Sequence, residues 1–151
     1  MDLLQAIDPT RICLLRNHTK QEVLNEIIDC GARVGLPYNR EELKERIYYR
    51  EQLMSTGLGL GIGLPHVRME GMSQPFIIIG IQPDGIIDYE AIDNLPVKIV
   101  FMIIVGKEQH RQYLELLAKI VGIVKRSHVI DALLTATTSE EIYQIFVKEA
   151  S

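Results

Sequence analysis

Ser55-Thr56-Gly57-Leu58-Gly59-Leu60-Gly61-Ile62-Gly63-Leu64-Pro65-His66 is the stretch on which the reading of this 151-residue chain turns. Four glycines alternate with apolar residues, and the run closes in Pro-His. Alternation at period two predicts a strand. Glycine at every second position clears one face of it, so that another backbone or a ligand can come close. Pro65 lacks the N–H needed for ladder pairing and fixes its own φ. His66 is therefore expected at a strand end, on a constrained backbone. A titratable nucleophile on a rigid mount is a candidate site.

Upstream of this stretch the sequence predicts two helices. Thr19-x-x-Glu22 has the capping-box pattern, and Val23, Leu24, Ile27, Ile28 and Val34 form an apolar stripe ended by Gly35 and Pro37. Asn39 caps the second helix, with Glu42 three positions on. Leu43, Ile47 and Met54 are assigned to its apolar face, and the charges from Arg40 to Arg46 read as a solvated face. Arg50-Glu51 falls near its end. Ile12 to Leu15 reads as a short strand or the packing edge of an N-terminal arm.

Downstream, a polar loop is expected through Ser73. Phe76 to Ile81 is a β-branched strand, Pro83-Asp84-Gly85 a turn, and Ile86-Ile87 a second short strand. Val97 to Val105 is apolar except at Lys98, which predicts a central strand covered on both faces. Gln109 to Lys125 reads as the longest helix, with Tyr113, Leu114, Leu117, Ile120, Val121 and Val124 inward and His110 at its start. Val129 to Leu134 and Glu140 to Lys148 read as further helices, the last capped by Ser139. Helices flank short strands along the whole chain, so the expected class is α/β: a central sheet with helices on both faces, in a single domain spanning 1–151.

Composition narrows the function classes. The chain is 47% apolar and 24% charged, an ordinary globular balance. A chain of about 150 residues buries enough surface to need no staple. The net charge of −4 argues against a nucleic-acid partner. Cys13 and Cys30 show no C-x-x-C spacing and read as buried thiols in a reducing compartment. No basic-then-apolar leader is present, and the longest apolar run is too short for a bilayer. The expectation is a cytoplasmic protein with no membrane insertion.

Several chemistries fail on spacing. Counting G-x-G-x-x-G from each glycine pair puts Ile62, Leu64 or His66 at the third position, and no Gly-Lys-Ser/Thr occurs, so no nucleotide cofactor is expected. There is no G-x-S-x-G elbow. His18, His66, His110 and His128 lie far apart, with no HxxxH or HExxH, so no metal is expected; a site that folding makes from His66 and His110 stays open. His18 and His128 read as surface residues. What remains is His66 as the nucleophile. Neutral imidazole attacks phosphorus well near pH 7, and the phosphoramidate formed is labile enough to pass the group on. Such transfer needs positioning and cancellation of charge on the phosphoryl oxygens. Arg50 offers a bidentate guanidinium, Thr56 or Ser55 a hydroxyl, the glycine backbone N–H groups, and His110 a second donor.

The pattern Arg50-Glu51, then Ser55-Thr56 with alternating glycines, then Pro65-His66 resembles the signature of the EIIA domains of the fructose/mannitol/nitrogen-regulatory type. These belong to the bacterial phosphoenolpyruvate:sugar phosphotransferase system. Ala91-Ile92-Asp93-Asn94-Leu95-Pro96-Val97 and His110 opening a leucine-rich helix agree with that family. The resemblance covers about residues 5 to 148 and implies a mixed sheet sandwiched by helices. It implies that His66 accepts a phosphoryl group from the small carrier HPr and passes it to an EIIB partner. Arg50, Thr56 and His110 would stabilise the group. A nitrogen-type regulator, whose His66 phosphorylation state controls binding to target proteins, is the second reading. The chain departs from the family at Gly63-Leu64 before Pro-His, and at Val67-Arg68 after it, where a small residue commonly follows. The first keeps the apolar character, whereas Val67 and Arg68 bear on partner choice.

Overall fold

The computed structural model describes residues 2–150, and Val97–Gly106 forms its central strand, β6, with every residue but Lys98 buried. On one side β6 pairs antiparallel with β5 (Phe76–Ile86). On the other it pairs parallel with β3 (Ile62–Gly63) and, further along, with β4 (His66–Met69). β1 (Ile12–Leu14) adds parallel to β5, and β2 (Gly57–Gly59) antiparallel to β3. The mixed sheet is thus ordered β1-β5-β6-β3-β2, with β4 also on β6.

Side chains alternate across a strand, so β5 and β6 supply two separate cores. Ile77, Ile79, Ile81, Ile99, Phe101, Ile103 and Val105 face α1 (Leu3–Ala6), α4 (His110–Val124), α5 (Ser127–Thr135) and α6 (Ser139–Ala150). Ile78, Val100, Met102 and Ile104 face α2 (Lys20–Arg33) and α3 (Arg40–Leu53). Each fully buried Ile or Phe contributes about 1.5–3 kcal/mol, which is why an uninterrupted apolar run becomes the middle of the sheet. The α/β architecture with helices on both faces agrees with the sequence reading.

The predicted caps of α2 and α3 are present. The Glu22 N–H donates to Thr19 Oγ1 at 3.4 Å, and the Thr19 hydroxyl donates to Glu22 Oε1 at 2.7 Å. The Glu42 N–H donates to Asn39 Oδ1 at 3.0 Å. The cap of α6 shifts by one residue: Thr138 Oγ1 accepts from the Glu141 N–H at 3.1 Å, which leaves Ser139 to donate to the Ile12 carbonyl at 3.0 Å. Met54 lies just beyond α3 and is exposed rather than part of its apolar face. The buried stripe of α4 is Leu116, Ile120, Ile123 and Val124, rotated from the predicted one, with Leu114 left outside.

The glycine stretch is a hairpin rather than one strand. Gly59, Leu60 and Gly61 have φ of 104°, 60° and 78°, so the chain reverses there and Gly57 pairs with Gly63. Alternation alone cannot see this, because glycine serves a strand and a left-handed turn equally well. The Leu60 N–H is held by Asp93 Oδ2 at 3.0 Å, which ties the turn to the loop before β6. His66 accordingly opens a strand instead of ending one. Val67 and Met69 are buried on the α2/α3 side, so the expected loop after His66 is strand through Met69. The Pro83–Gly85 turn is likewise absorbed into β5 as a break in register between Ile81 and Ile86.

Cys13 and Cys30 form a disulfide, not two buried thiols. β1 and α2 pack together and bring their Cα atoms to 6.6 Å, within bridging reach, a proximity that spacing along the chain does not show. The two cysteines therefore do not indicate a reducing compartment. Among the described residues, no helix is long and apolar enough to cross a membrane.

Candidate functional site

β4 carries His66 and Arg68 on the face opposite Val67 and Met69, toward α4. His66 Nδ1 lies 2.8 Å from the Leu64 carbonyl oxygen. A carbonyl only accepts, so Nδ1 carries the hydrogen and Nε2 keeps its lone pair. The imidazole stacks on Tyr113 from the first turn of α4, with ring centres 4.8 Å apart and planes 26° from parallel. Burial, above all, pushes the His66 pKa below its ordinary 6.5. The bond to Leu64 opposes that, the Arg50 charge adds to it, Glu51 opposes it, and Arg68 adds a last push downward. The ring is thus neutral at pH 7.

His66 lines an open cavity of about 630 Å³ with Arg46, Arg50, Arg68, His110 and Tyr113. Arg50 comes from the last turn of α3, where cations suit the helix carbonyl end. Its Nη1 donates to the Met54 carbonyl at 3.1 Å, which steadies the guanidinium. Arg46, one turn earlier, donates to the Arg68 carbonyl at 3.2 Å. The Arg68 Nη2 donates to His110 Nδ1 at 3.1 Å. A neutral His110 therefore carries its hydrogen on Nε2. The cavity presents one uncharged nucleophilic nitrogen, three guanidiniums and an imidazole N–H against the single carboxylate of Glu45, a balance that favours an anion and repels a cation.

Of the residues singled out in sequence, Arg50, His66 and His110 come together. Thr56 lies apart from the cavity lining: it is buried, its hydroxyl donates to Glu51 Oε1 at 2.9 Å, and it meets the Tyr89 hydroxyl at 2.6 Å. Ser55 Oγ donates to the Glu90 carbonyl at 2.7 Å. Tyr113 and Arg46 were missed. Tyr113 follows His110 by three positions and Arg46 precedes Arg50 by four, spacings that share a helix face. His18 and His128 lie outside the cavity lining, both exposed and each beside a carboxylate.

Residues 6–149 match the family described as phosphoenolpyruvate-dependent sugar phosphotransferase system, EIIA 2. The chain belongs to that family. Relatives with both regulatory and sugar-specific names match it. It is 35% identical to the nitrogen regulatory protein of Pseudomonas aeruginosa, over 85% of this chain and 83% of that one. It is 31% identical to the fructose-specific EIIABC component of the Bacillus subtilis phosphotransferase system, over 87% of this chain but 20% of that one. Among solved structures, the nitrogen regulatory protein IIA-Ntr of Neisseria meningitidis superposes with a TM-score of 0.83 at 26% identity, covering 95% and 97% of the two chains. The EIIA 2 match spans Arg50, Thr56, His66 and His110, and the fold is shared with a nitrogen regulatory protein of known structure.

Proposed function

We propose that this EIIA-type chain is a phosphocarrier, taking a phosphoryl group on His66 Nε2 from a phospho-HPr-like carrier and passing it to an EIIB partner. The observation that carries the reading is the Nδ1–Leu64 bond, which leaves Nε2 as the nucleophile of a cationic cavity. In the forward step the Nε2 lone pair forms the new N–P bond as the donor's N–P bond breaks, and the donor nitrogen keeps that electron pair. The ring becomes cationic, and the Leu64 carbonyl on Nδ1–H stabilises that charge. Arg50, Arg68 and the His110 Nε2–H meet the phosphoryl oxygens, where charge cancellation is most of the catalysis. The reverse step onto EIIB uses the same contacts. No metal or organic cofactor enters it.

The relatives named as nitrogen regulators favour a second use of the same chemistry, in which phosphorylated and free forms bind different target proteins. One experiment separates the two. The protein is charged with phosphoenolpyruvate, enzyme I and HPr, and then mixed with a fructose-type EIIB. Loss of the phosphoryl group to EIIB on mixing supports sugar import. Retention, with binding to a target that changes with the phosphorylation state, supports regulation. Either reading places the chain in the cytoplasm, whose reductants open most disulfides; neither Cys13 nor Cys30 lines the cavity.

The pH profile follows from the depressed His66 pKa. A lowered pKa keeps the nucleophile neutral to lower pH, so the acid limb of the uptake rate should lie below the ordinary 6.5. Uptake measured from pH 5 to 8 checks this, after correction for the donor's own titration. An acid limb at or above 6.5 would contradict the burial argument.

A further inference from the structure

Glu51 neighbours Arg50 in sequence yet is not among the cavity residues, and its side chain is only 6% exposed. Its Oε1 receives Lys20 Nζ at 3.1 Å, the Thr56 hydroxyl at 2.9 Å and the Thr56 N–H at 3.3 Å. Because the Thr56 hydroxyl donates to Glu51, the Tyr89 hydroxyl at 2.6 Å must donate to Thr56. Lys20 Nζ sits 4.4 Å over the Tyr89 ring and closes the group. Burying a carboxylate is costly unless it is paired and hydrogen-bonded, so Glu51 is held to Lys20 and Thr56 by the same contacts that make its burial tolerable.

The group leads to the nucleophile through the backbone. The Thr56 carbonyl accepts from the Leu64 N–H at 3.0 Å, and the Leu64 carbonyl accepts from His66 Nδ1 at 2.8 Å. Pro65, between them, is held on the other side by the Ile103 N–H at 2.9 Å. Leu64 is therefore suspended between the central strand and Thr56, and Thr56 is placed by Glu51.

Building on the phosphocarrier reading, we propose that Glu51 and Thr56 are positioning residues: their buried group fixes the Leu64 carbonyl, which selects the His66 tautomer with Nε2 as nucleophile. Thr56 then acts from outside the cavity rather than as a phosphoryl ligand. Without the group, the Leu64 peptide loses one of its two anchors, its carbonyl tilts, and His66 samples both tautomers.

Long-range proton–nitrogen correlation spectra of the imidazole, which report the tautomer directly, test this in Glu51→Ala, Thr56→Val and Thr56→Ser beside the wild type. Thr56→Val removes the hydroxyl at nearly constant shape and serves if Glu51→Ala does not fold. The wild type and Thr56→Ser should show one tautomer, protonated at Nδ1. The other two should show a mixture, with uptake slowed about tenfold by the misplaced nucleophile. Folded Thr56→Val with the wild-type spectrum overturns the proposal, and so does a changed spectrum with unchanged uptake. If the wild type accepts no phosphoryl group, the phosphocarrier reading fails, and the spectra still decide whether the group sets the tautomer.

Discussion

Glutamine in place of His66 is expected to abolish phosphoryl uptake and leave the fold in place. The amide nitrogen of glutamine has its lone pair delocalised into the carbonyl, so it can donate to Leu64 but cannot attack phosphorus. Every other contact in the cavity then has nothing to act on. Folding loses the stacking on Tyr113, about 0.5–1.5 kcal/mol for an aromatic pair, and little else. Set against about 5–15 kcal/mol of total stability, that loss is tolerated. Intact-mass measurement after incubation with the charged donor should show one added phosphoryl group on the wild type and none on His66→Gln. The melting temperatures of the two should lie within a few degrees.

The largest expected effect on stability is at Gly57. A Cβ built there would lie 2.0 Å from the Glu90 carbonyl oxygen and 2.7 Å from Ala91 Cα. Both are backbone atoms, so no rotamer change relieves the clash. The segment at 90–92 must move, which disrupts the bridge between Gly57 and Ala91 and the Ile92 N–H bond to the Gly57 carbonyl at 3.2 Å. Gly57→Ala is expected to cost about 3 kcal/mol, the upper part of the usual overpacking range. In a domain of this size that lowers the melting temperature by about 6–12 °C. Uptake should fall too, because Gly57 follows Thr56 and the segment on which Leu64 hangs. Gly122→Ala is the control: a Cβ there meets nothing within 4 Å, and alanine exceeds glycine in a helix interior by about 1 kcal/mol. That variant should melt slightly higher than the wild type.

The contrast between these two glycines shows what the sequence can and cannot carry. Signals settled by near neighbours were legible: the caps at Thr19 and Asn39, and the apolar run of β6 that had to be covered on both faces. The placing of Arg50, His66 and His110 in one cavity was legible through a motif. Features that depend on residues distant in the chain were not. Whether Gly57 to Gly63 is one strand or two depends on the left-handed turn at Gly59–Gly61 and on Asp93 holding Leu60. The bridge between Cys13 and Cys30 depends on how β1 meets α2. Thr56 looked like a ligand because it stands near His66 in sequence, yet the hairpin turns its hydroxyl toward Glu51 and Tyr89. Arg46 sat in a charge run that reads as solvated, and only the folded position of Arg68 gives it a partner at the site.

The most direct test of the phosphocarrier reading is the site of the adduct itself. The wild-type protein, with its histidines labelled with nitrogen-15, is charged by phosphoenolpyruvate, enzyme I and HPr. Phosphorus–nitrogen coupling then identifies the nitrogen that holds the phosphoryl group. A single adduct on Nε2 of His66, lost in acid and kept in base, is expected. An adduct on Nδ1 or on another residue, or none at all with HPr shown to be charged, would contradict it.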